Sequence, residues 1–415
     1  MPEIFKVMKM KFLPILTLAV LSLMSCHAQN PTKGIVKTGS EVLLDNHIAE
    51  LQGKRIGLLM NPASRVDGVH MLDTLLNLGV NVTALFAAEH GFRGQAGAGE
   101  KIEGGIDQET GLPVFSLYGV NRKPTKEMLD NVDLILFDLP DMGVRFYTYN
   151  ATMGLVMEAV AENEKEIWIL DRPNPLGGEY VAGWILREEF KSFVGLYPLP
   201  IAYGLTIGEI ANMAVGEGEL NIDTKLNYKV IKSEGWQREM LWADTGLEWI
   251  PPSPNLPTFE HAFAYPGTVI FEGTNLSEGR GTPDPFLLIG SPNLKFRDSE
   301  LTYLEEKHNV QLDSVTFTPK SIPGKAISPK LEGELCRGIK ISFNGGYTQT
   351  NPIELGLDLL KFTQSHTSDF EIKAFANNLY GIDLKSIIEN DEPIPGWEEE
   401  VDIFKEKRKK YLLYF

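Results

Sequence analysis

The sequence predicts an α/β protein whose N-terminal domain is built on a mostly parallel β-sheet. Five apolar runs of strand length recur in the first half of the chain: Lys54–Pro62, Asn81–His90, Leu112–Gly119, Val132–Asp141 and Glu166–Pro175. Their near-continuous apolar and β-branched residues are typical of strands that are buried on both faces. Stretches with helical spacing of apolar residues lie between them, at Gly68–Leu78 and Thr148–Glu164. This alternation predicts a Rossmann-like, doubly wound sheet.

The alternation weakens after Gly208, which indicates a second and smaller α/β domain. We expect a helix at Gly204–Ala214 to close the first domain and a strand within Leu226–Trp236 to begin the second. Later segments complete it: strands at Ser314–Phe317 and Gly338–Phe343, a helix at Pro352–Thr363, and a charged helical tail that ends in "KRKKYLLYF". We therefore place the N-terminal domain at residues 39–215 and the C-terminal domain at residues 216–415.

The first residues predict export rather than fold. A basic head precedes the apolar run Phe12–Met24, which is too short to span a bilayer comfortably and suits a secretory signal. The run ends at "LMSC", Leu23–Cys26, which resembles the bacterial lipobox, whose cysteine carries the lipid. We expect a signal peptide at 1–25, lipidation at Cys26, a tether at 26–38, and an exported protein held to the bacterial membrane by the lipid alone. Ordinary cleavage, which leaves an unlipidated secreted protein, is the alternative.

Composition and missing motifs exclude several classes of function. Acidic residues number 56 against 39 basic residues, and the net charge of −17 argues against a nucleic-acid partner. No G-x-G-x-x-G follows the first strand, no P-loop or H-E-x-x-H is present, and the seven histidines show no metal-ligand spacing. We expect neither a cofactor nor a metal. Lipidation of Cys26 would leave Cys336 without an intramolecular partner, and we expect Cys336 to be a small buried hydrophobe.

Polar residues follow four of the predicted strands. In chain order they are Asn61, Glu89, His90, Asp138, Asp141, Asp171 and Arg172. Right-handed crossovers place the carboxyl ends of parallel strands at one edge of the sheet, where ligands bind. The sequence therefore predicts a functional site at this edge. The alternative is that these residues are polar because they lie in loops and cap helices.

Three segments combine carboxylates with arginine, glycine and aromatic residues. They are "EHGFRG", "DLPDMGVRFYTY" and "EGTNLSEGRGT", and the third contains Glu272, Asn275, Glu278 and Arg280. Sugar rings stack on tyrosine, their hydroxyls pair with aspartate and asparagine, and a protonated carboxyl can donate to a leaving glycosidic oxygen. These segments favour a site for carbohydrate.

A longer series of motifs resembles the NamZ-type exo-β-N-acetylmuramidases. The segments occur in order: "ALFAAEHGFRG", "GLPVFSLYG", "FDLPDMGVRFYTY", "LDRPNPLGG", "FVGLYPLPIAYGLTIGE" and "FEGTNLSEGRGT". The resemblance spans nearly the whole mature chain. It implies a Rossmann-like N-terminal domain, a smaller C-terminal domain and an active-site cleft between them. It also implies release of N-acetylmuramic acid from the non-reducing ends of peptidoglycan fragments.

The resemblance also assigns residues of the site. The strand-end glutamate of the family corresponds to Glu89, and its neighbouring histidine corresponds to His90. The other matching positions are Asp138, Asp141, Arg145, Asp171–Pro173 and Ser277–Gly281. The chain departs from the family at Pro140, where a glutamine is expected, and so a side-chain hydrogen bond of that loop would be lost.

We expect Glu89 to act as the general acid, because the end of an apolar strand should partly desolvate its carboxyl. Asp141 and Glu278 are the candidates for a second carboxyl, unless the 2-acetamido group of the substrate takes that part. An arginine should bind the lactyl carboxylate that distinguishes muramic acid, with Arg145 ahead of Arg172 and Arg280. The other candidate substrate-binding residues are Asn61, His90, Arg93, Asp138, Tyr147, Asp171 and Asn275.

Two other classes of function fit the same residues. One is a two-lobed lipoprotein that binds muropeptides or glycans without cleaving them. The other is a different hydrolase that acts on an anionic sugar. Release of an aglycone from a muramic acid glycoside separates an enzyme from a binding protein, because only catalysis releases it. The sequence does not assign an oligomeric state.

Overall fold

The computed structural model describes residues 36–94 and 104–415, so the predicted signal peptide, Cys26 and most of the predicted tether lie outside the described residues. The strands within these ranges are β1 (Ile56–Met60), β2 (Arg65–Val66), β3 (Val69–His70), β4 (Val82–Ala87), β5 (Gly105–Ile106), β6 (Pro113–Ser116), β7 (Leu134–Asp138), β8 (Glu166–Leu170), β9 (Asn227–Ile231), β10 (Leu288–Ser291), β11 (Gln311–Phe317) and β12 (Cys336–Ser342). The helices are α1 (Gly39–Asn46), α2 (Met71–Asn77), α3 (Lys126–Leu129), α4 (Tyr149–Glu162), α5 (Ile207–Gly216), α6 (Phe259–Thr268), α7 (Thr302–His308), α8 (Pro352–His366), α9 (Phe375–Tyr380), α10 (Leu384–Glu389) and α11 (Glu398–Arg408).

The large sheet has the strand order of a Rossmann-like fold. Its described strands run β5-β6-β4-β1-β7-β8-β9, and every neighbouring pair is parallel except β5 with β6. Without the short β5, the order by position in the chain is 3-2-1-4-5-6, which is that of dinucleotide-binding folds. The predicted fold class is confirmed, and each of the five apolar runs contains one parallel strand. All carboxyl ends of the parallel strands therefore meet at one edge.

Side chains along each strand alternate between two buried layers. Leu58 and Leu85 pack on one face, in the cluster that includes residues of α1 and α2. Leu59 and Phe86 pack on the other face, in the cluster that includes residues of α4 and α5. Burial on both faces explains why the strands are continuously apolar in sequence.

A smaller antiparallel sheet follows in the C-terminal half, with the strand order β10-β12-β11. Helices α6 and α8 pack closely against each other. Glycine at 267 and 356 allows this approach, because a Cβ atom at either position would overlap the backbone of the other helix. Both sheets contribute to one continuous apolar cluster, and the described residues group as one compact unit. Cys336 is fully buried at the start of β12, as expected, and burial raises the pKa of its thiol to about 11.

Two details differ from the prediction. The expectation that the strand within Leu226–Trp236 begins the C-terminal domain is wrong, because β9 pairs in parallel with β8 and ends the large sheet. Residues 36–38 belong to the fold rather than to a tether, since Val36 is buried and Thr38 caps α1. No helix within the described residues is long and apolar enough to cross a membrane.

The charged tail packs back on the large sheet. Helix α11 is followed by Tyr414, whose hydroxyl donates to the Asp171 carboxylate at 2.6 Å. Arg408, at the end of α11, donates to the carbonyl oxygens of Gly178, Tyr203 and Gly204. The tail is helical, as predicted, and Tyr414 and Arg408 give it buried contacts to the N-terminal half.

Candidate active site

A cavity of about 670 Å³ opens at the carboxyl edge of the large sheet, within the size range of small-molecule sites. One wall comes from the loops that follow β4, β6 and β7, and the opposite wall comes from the C-terminal half. The polar and aromatic residues that line it include Glu89, Tyr118, Arg122, Phe146, Thr148, Phe193, Tyr265, Glu272, Glu278, Arg280, Lys325, Lys330 and Asn378. The site thus lies where the strand ends predicted it, and both halves of the chain contribute to it.

Glu89 enters this cavity from the end of β4. The chain turns sharply after it, because His90 and Gly91 both adopt positive φ angles, of 74° and 80°. This conformation is unusual for histidine and easy for glycine. Thr148, which precedes α4, donates its hydroxyl to Glu89 Oε2 at 2.8 Å. Burial and the nearby Glu89 carboxylate together raise the pKa of the Tyr118 hydroxyl. The Glu89 side chain is half-buried, is held by Thr148 and lies near Tyr118.

Asn61 supports this arrangement from beneath. The Tyr149 hydroxyl donates to the Glu89 carbonyl oxygen at 3.1 Å, and Asn61 Nδ2 donates to the same hydroxyl at 3.1 Å. Asn61 is 1% exposed and does not line the cavity. The structure therefore places Asn61, a predicted substrate-binding residue, behind Glu89 rather than against a ligand.

The C-terminal wall carries a charged network. Arg280 donates to Glu272 Oε1 from Nη2 at 2.6 Å and from Nε at 3.0 Å, and Nε lies 3.5 Å from Glu278 Oε1. Lys330 Nζ lies 2.8 Å from Glu278 Oε2 and also donates to two backbone carbonyls. Burial raises the pKa of Glu272. The Arg280 guanidinium lowers this pKa, and the nearby Glu278 carboxylate raises it further. Two predicted residues, Glu278 and Arg280, thus face the cavity.

Aromatic rings form much of the remaining surface. Tyr147 and His90 line a smaller cavity of about 40 Å³ that also contacts Glu89. The ring of Tyr147 makes edge contacts with Tyr149 and Tyr265, at centroid distances of 4.8 and 6.4 Å. These predicted residues therefore lie beside the main cavity, where an aromatic surface suits a sugar ring.

The charged residues at the ends of β7 and β8 form a separate buried group. Arg172 donates to both carboxylate oxygens of Asp138, at 2.6 and 3.0 Å, and neither side chain exceeds 8% exposure. Asp171 is fully buried and accepts hydrogen bonds from the Thr206 hydroxyl and the Gly208 amide at the start of α5. Burial raises the pKa of Asp171 to about 6. None of the three lines the main cavity.

Asp141 and Arg145 have structural partners as well. Asp141 accepts hydrogen bonds from the Tyr203 hydroxyl and, at 2.8 Å, from the Gly143 amide, and burial raises its pKa to about 6. Arg145 is 1% exposed and donates to the carbonyls of Trp184, Leu199 and Leu379. The structure gives both residues a place away from the main cavity. Arg145 instead ties the N-terminal half to α9.

The last two predicted residues also lie outside the cavity. Arg93 pairs with Asp107 at 2.9 Å and with Glu109 at 3.0 Å. Asn275 donates to the Asp369 carbonyl at 2.6 Å and accepts from the Glu371 amide at 2.9 Å. Both side chains join loops rather than face a ligand.

Sequence reasoning missed several residues that do face the cavity. Tyr118 follows the carboxyl end of β6, just as Glu89 follows the carboxyl end of β4. The rule that polar residues after parallel strands form the site therefore applied to Tyr118 as well. Arg122 lies in the same loop as Tyr118. Phe193 begins the segment "FVGLYPLPIAYGLTIGE" but was not singled out, and Lys330 reaches the site from a loop with no motif. The described residues contain no group of three or more histidine, cysteine, aspartate or glutamate side chains that could hold a metal.

A Rossmann-like sheet, a held glutamate at a strand end and aromatic walls define a glycosidase-type site. Two family models, "Exo-beta-N-acetylmuramidase NamZ, N-terminal" and "C-terminal", match residues 56–260 and 263–414. The chain belongs to the NamZ family of exo-β-N-acetylmuramidases.

Individual relatives agree with this assignment. The chain is 41% identical over 399 residues to the peptidoglycan beta-N-acetylmuramidase NamZ of Bacillus subtilis (strain 168). The match covers 93% of each sequence. Two crystal structures of DUF1343 family proteins from Bacteroides fragilis are also similar. One has a TM-score of 0.79 at 33% identity and covers 92% of this chain and 99% of that one. The other has a TM-score of 0.75 at 35% identity and covers 91% and 99%.

Proposed function

We propose that this chain is an exo-acting glycosidase that releases N-acetylmuramic acid from the non-reducing end of peptidoglycan fragments. The observation that carries the proposal is Glu89, a strand-end carboxyl that the Thr148 hydroxyl holds inside a cavity of sugar size. A carboxyl in this position can protonate the leaving glycosidic oxygen. Membership of a family named for this activity supports the same reaction.

In this proposal the terminal sugar lies between Glu89 and the C-terminal wall. Tyr265 and Phe146 offer apolar surface to the ring. Glu272 and Glu278 are the carboxylates of the C-terminal wall of the same cavity. Glu278 remains a candidate for the second carboxyl, and Glu272 joins it. Asp141, which lies outside the cavity, is not given that role.

The activity is tested with a 4-nitrophenyl glycoside of N-acetylmuramic acid and with a natural disaccharide that ends in this sugar. The enzyme should release 4-nitrophenol from the first and free N-acetylmuramic acid from the second. Internal cleavage of longer glycan strands should be absent, because the enzyme acts from the end. Binding of both compounds with no release by the folded protein would instead favour a non-catalytic glycan-binding protein.

We also propose that the mature protein is exported and lipid-anchored through Cys26. The proposal rests on "LMSC" at the end of the apolar leader, and an exported enzyme would meet peptidoglycan fragments. A Cys26→Ala variant should be lost from the membrane fraction while keeping its activity on the 4-nitrophenyl glycoside, since several acyl chains on one residue anchor firmly and none remains. Wild-type protein that is found free in the periplasm or medium would contradict the anchor.

A further inference from the structure

Among the described residues, four cationic side chains line the main cavity: Arg122, Arg280, Lys325 and Lys330. Arg280 and Lys330 are bound to the glutamates of the C-terminal wall and to backbone carbonyls, so their charges are compensated. No ion pair within the described residues involves Arg122 or Lys325. These two side chains therefore provide the uncompensated positive charge of the cavity.

Arg122 has a defined position beside the catalytic carboxyl. Its guanidinium lies over the ring of Phe193, with Cζ 4.5 Å from the ring centroid, and Phe193 also contacts the Tyr118 ring at 6.3 Å. The Tyr118 hydroxyl in turn lies within electrostatic range of both Glu89 and Arg122. Arg122 and Glu89 thus flank the same tyrosine, while an aromatic face restricts the orientation of the guanidinium.

We propose that Arg122 binds the lactyl carboxylate of N-acetylmuramic acid and so determines the preference for this sugar. The inference rests on the proposed function, because it takes that sugar as the substrate. The lactyl group is attached at C3 of the ring, two carbons from the bond that is cleaved. Arg122, which lies on the other side of Tyr118 from Glu89, is therefore well placed to bind the lactyl carboxylate.

The other cations suit this role less well. Arg145 and Arg172, which we first expected to bind the lactyl group, are buried outside the cavity and hold carbonyls and Asp138. Lys325 and Arg122 are both exposed, but within the described residues only Arg122 has an aromatic partner, the ring of Phe193. A guanidinium binds carboxylate with two parallel hydrogen bonds, whereas an ammonium acts as a point charge.

The test compares two chromogenic substrates that differ only in the lactyl charge: 4-nitrophenyl N-acetylmuramic acid and its lactyl methyl ester. Hydrogen bonds to charged groups are strong enough that Arg122→Gln should lower kcat/KM on the acid by about 10- to 100-fold. On the methyl ester the variant and the wild type should differ by less than about threefold. The variant should therefore lose the discrimination between acid and ester, while its thermal unfolding stays unchanged.

Lys325→Gln is the matched control, because it removes the other uncompensated cation of the same cavity. It should keep the wild-type preference for the acid. Equal losses on both substrates with Arg122→Gln, no loss on either, or a selective loss with Lys325→Gln instead would each overturn the proposal. Titration calorimetry with free N-acetylmuramic acid tests Arg122 without turnover, so weaker binding by Arg122→Gln supports the assignment and equal binding contradicts it. Absence of hydrolysis by the wild type would contradict the proposed function alone.

Discussion

Two groups of acidic residues at the same edge of the large sheet have opposite surroundings. At the ends of β7 and β8, Asp138 and Asp171 are fully buried and every observed partner is part of the protein. At the end of β4, Glu89 is half-buried and opens into a cavity of about 670 Å³. Both groups follow apolar strands and look alike in sequence, yet the first joins elements of the fold and the second faces a ligand space.

A strand end therefore determines where a residue lies but not which role it has. Asp171 accepts from the start of α5 and from Tyr414, so the following chain and the C-terminal tail cover it. The turn at His90 and Gly91 leads the backbone away from Glu89, whose side chain lines the cavity. Stability should therefore depend on the first group and chemistry on the second.

Removal of Arg172 should cause the largest loss of stability. Asp138 would remain as an unpaired charge in the core, and breaking a buried pair costs about 3–5 kcal/mol. Arg172→Ala should lower the free energy of unfolding by this amount in urea denaturation. The matched control is Arg55→Ala, which breaks an Arg–Asp pair that is about two-fifths exposed and screened by solvent, so its loss should be much smaller. Similar losses for the two variants would refute the structural role of the buried pair.

A second test uses the pH dependence of Asp141, whose pKa burial raises from 3.8 to about 6. The folded state then holds this proton more tightly than the unfolded state. The stability that the proton contributes is fully present below about pH 4 and is lost as the pH rises through 6.

The free energy of unfolding of the wild type, relative to Asp141→Asn, should therefore fall by up to about 3 kcal/mol between pH 4 and pH 7. Denaturation of both proteins across this range measures it. Asp133→Asn provides the opposite sign, because Arg55 lowers the pKa of Asp133 to about 2, so that contribution is lost as the pH falls. A flat difference for Asp141 would contradict its buried, proton-holding position.

The smallest expected change in stability is at the cavity wall. Both hydrogen bonds from Arg280 go to Glu272 Oε1, and glutamine keeps a similar shape and one acceptor oxygen at this position. Glu272→Gln should therefore change the free energy of unfolding by less than about 1 kcal/mol, while kcat/KM falls about tenfold because Arg280 loses its charged partner. Steady-state kinetics and thermal unfolding of the same preparation measure both. Unchanged activity with a large loss of stability would move Glu272 to the structural group.

The sequence predicts the sheet well because burial on both faces leaves a direct pattern in each strand. It also predicts the edge on which the site lies, and Glu89, His90, Tyr147, Glu278 and Arg280 do line the two adjoining cavities. It does not distinguish Asp138 or Arg145 from them, since the partners that bury these residues come from distant parts of the chain. Arg145, for example, donates to Leu379, 234 positions away.

The role of Glu89 as general acid is tested most directly by how the loss of kcat/KM in Glu89→Gln depends on the leaving group. Glutamine keeps the shape of the side chain and removes the proton donor, and general acid catalysis contributes about 10²–10⁴-fold. The matched control is Glu166→Gln, the same change at the opposite edge of the sheet, which should leave both rates unchanged.

Glu89→Gln should lose about 10²–10⁴-fold in kcat/KM on the natural disaccharide, whose sugar leaves only with a proton. It should lose less than about tenfold on the 4-nitrophenyl glycoside, because this phenolate departs without one. Equal losses on both substrates, or no loss on either, would contradict Glu89 as the acid of this site.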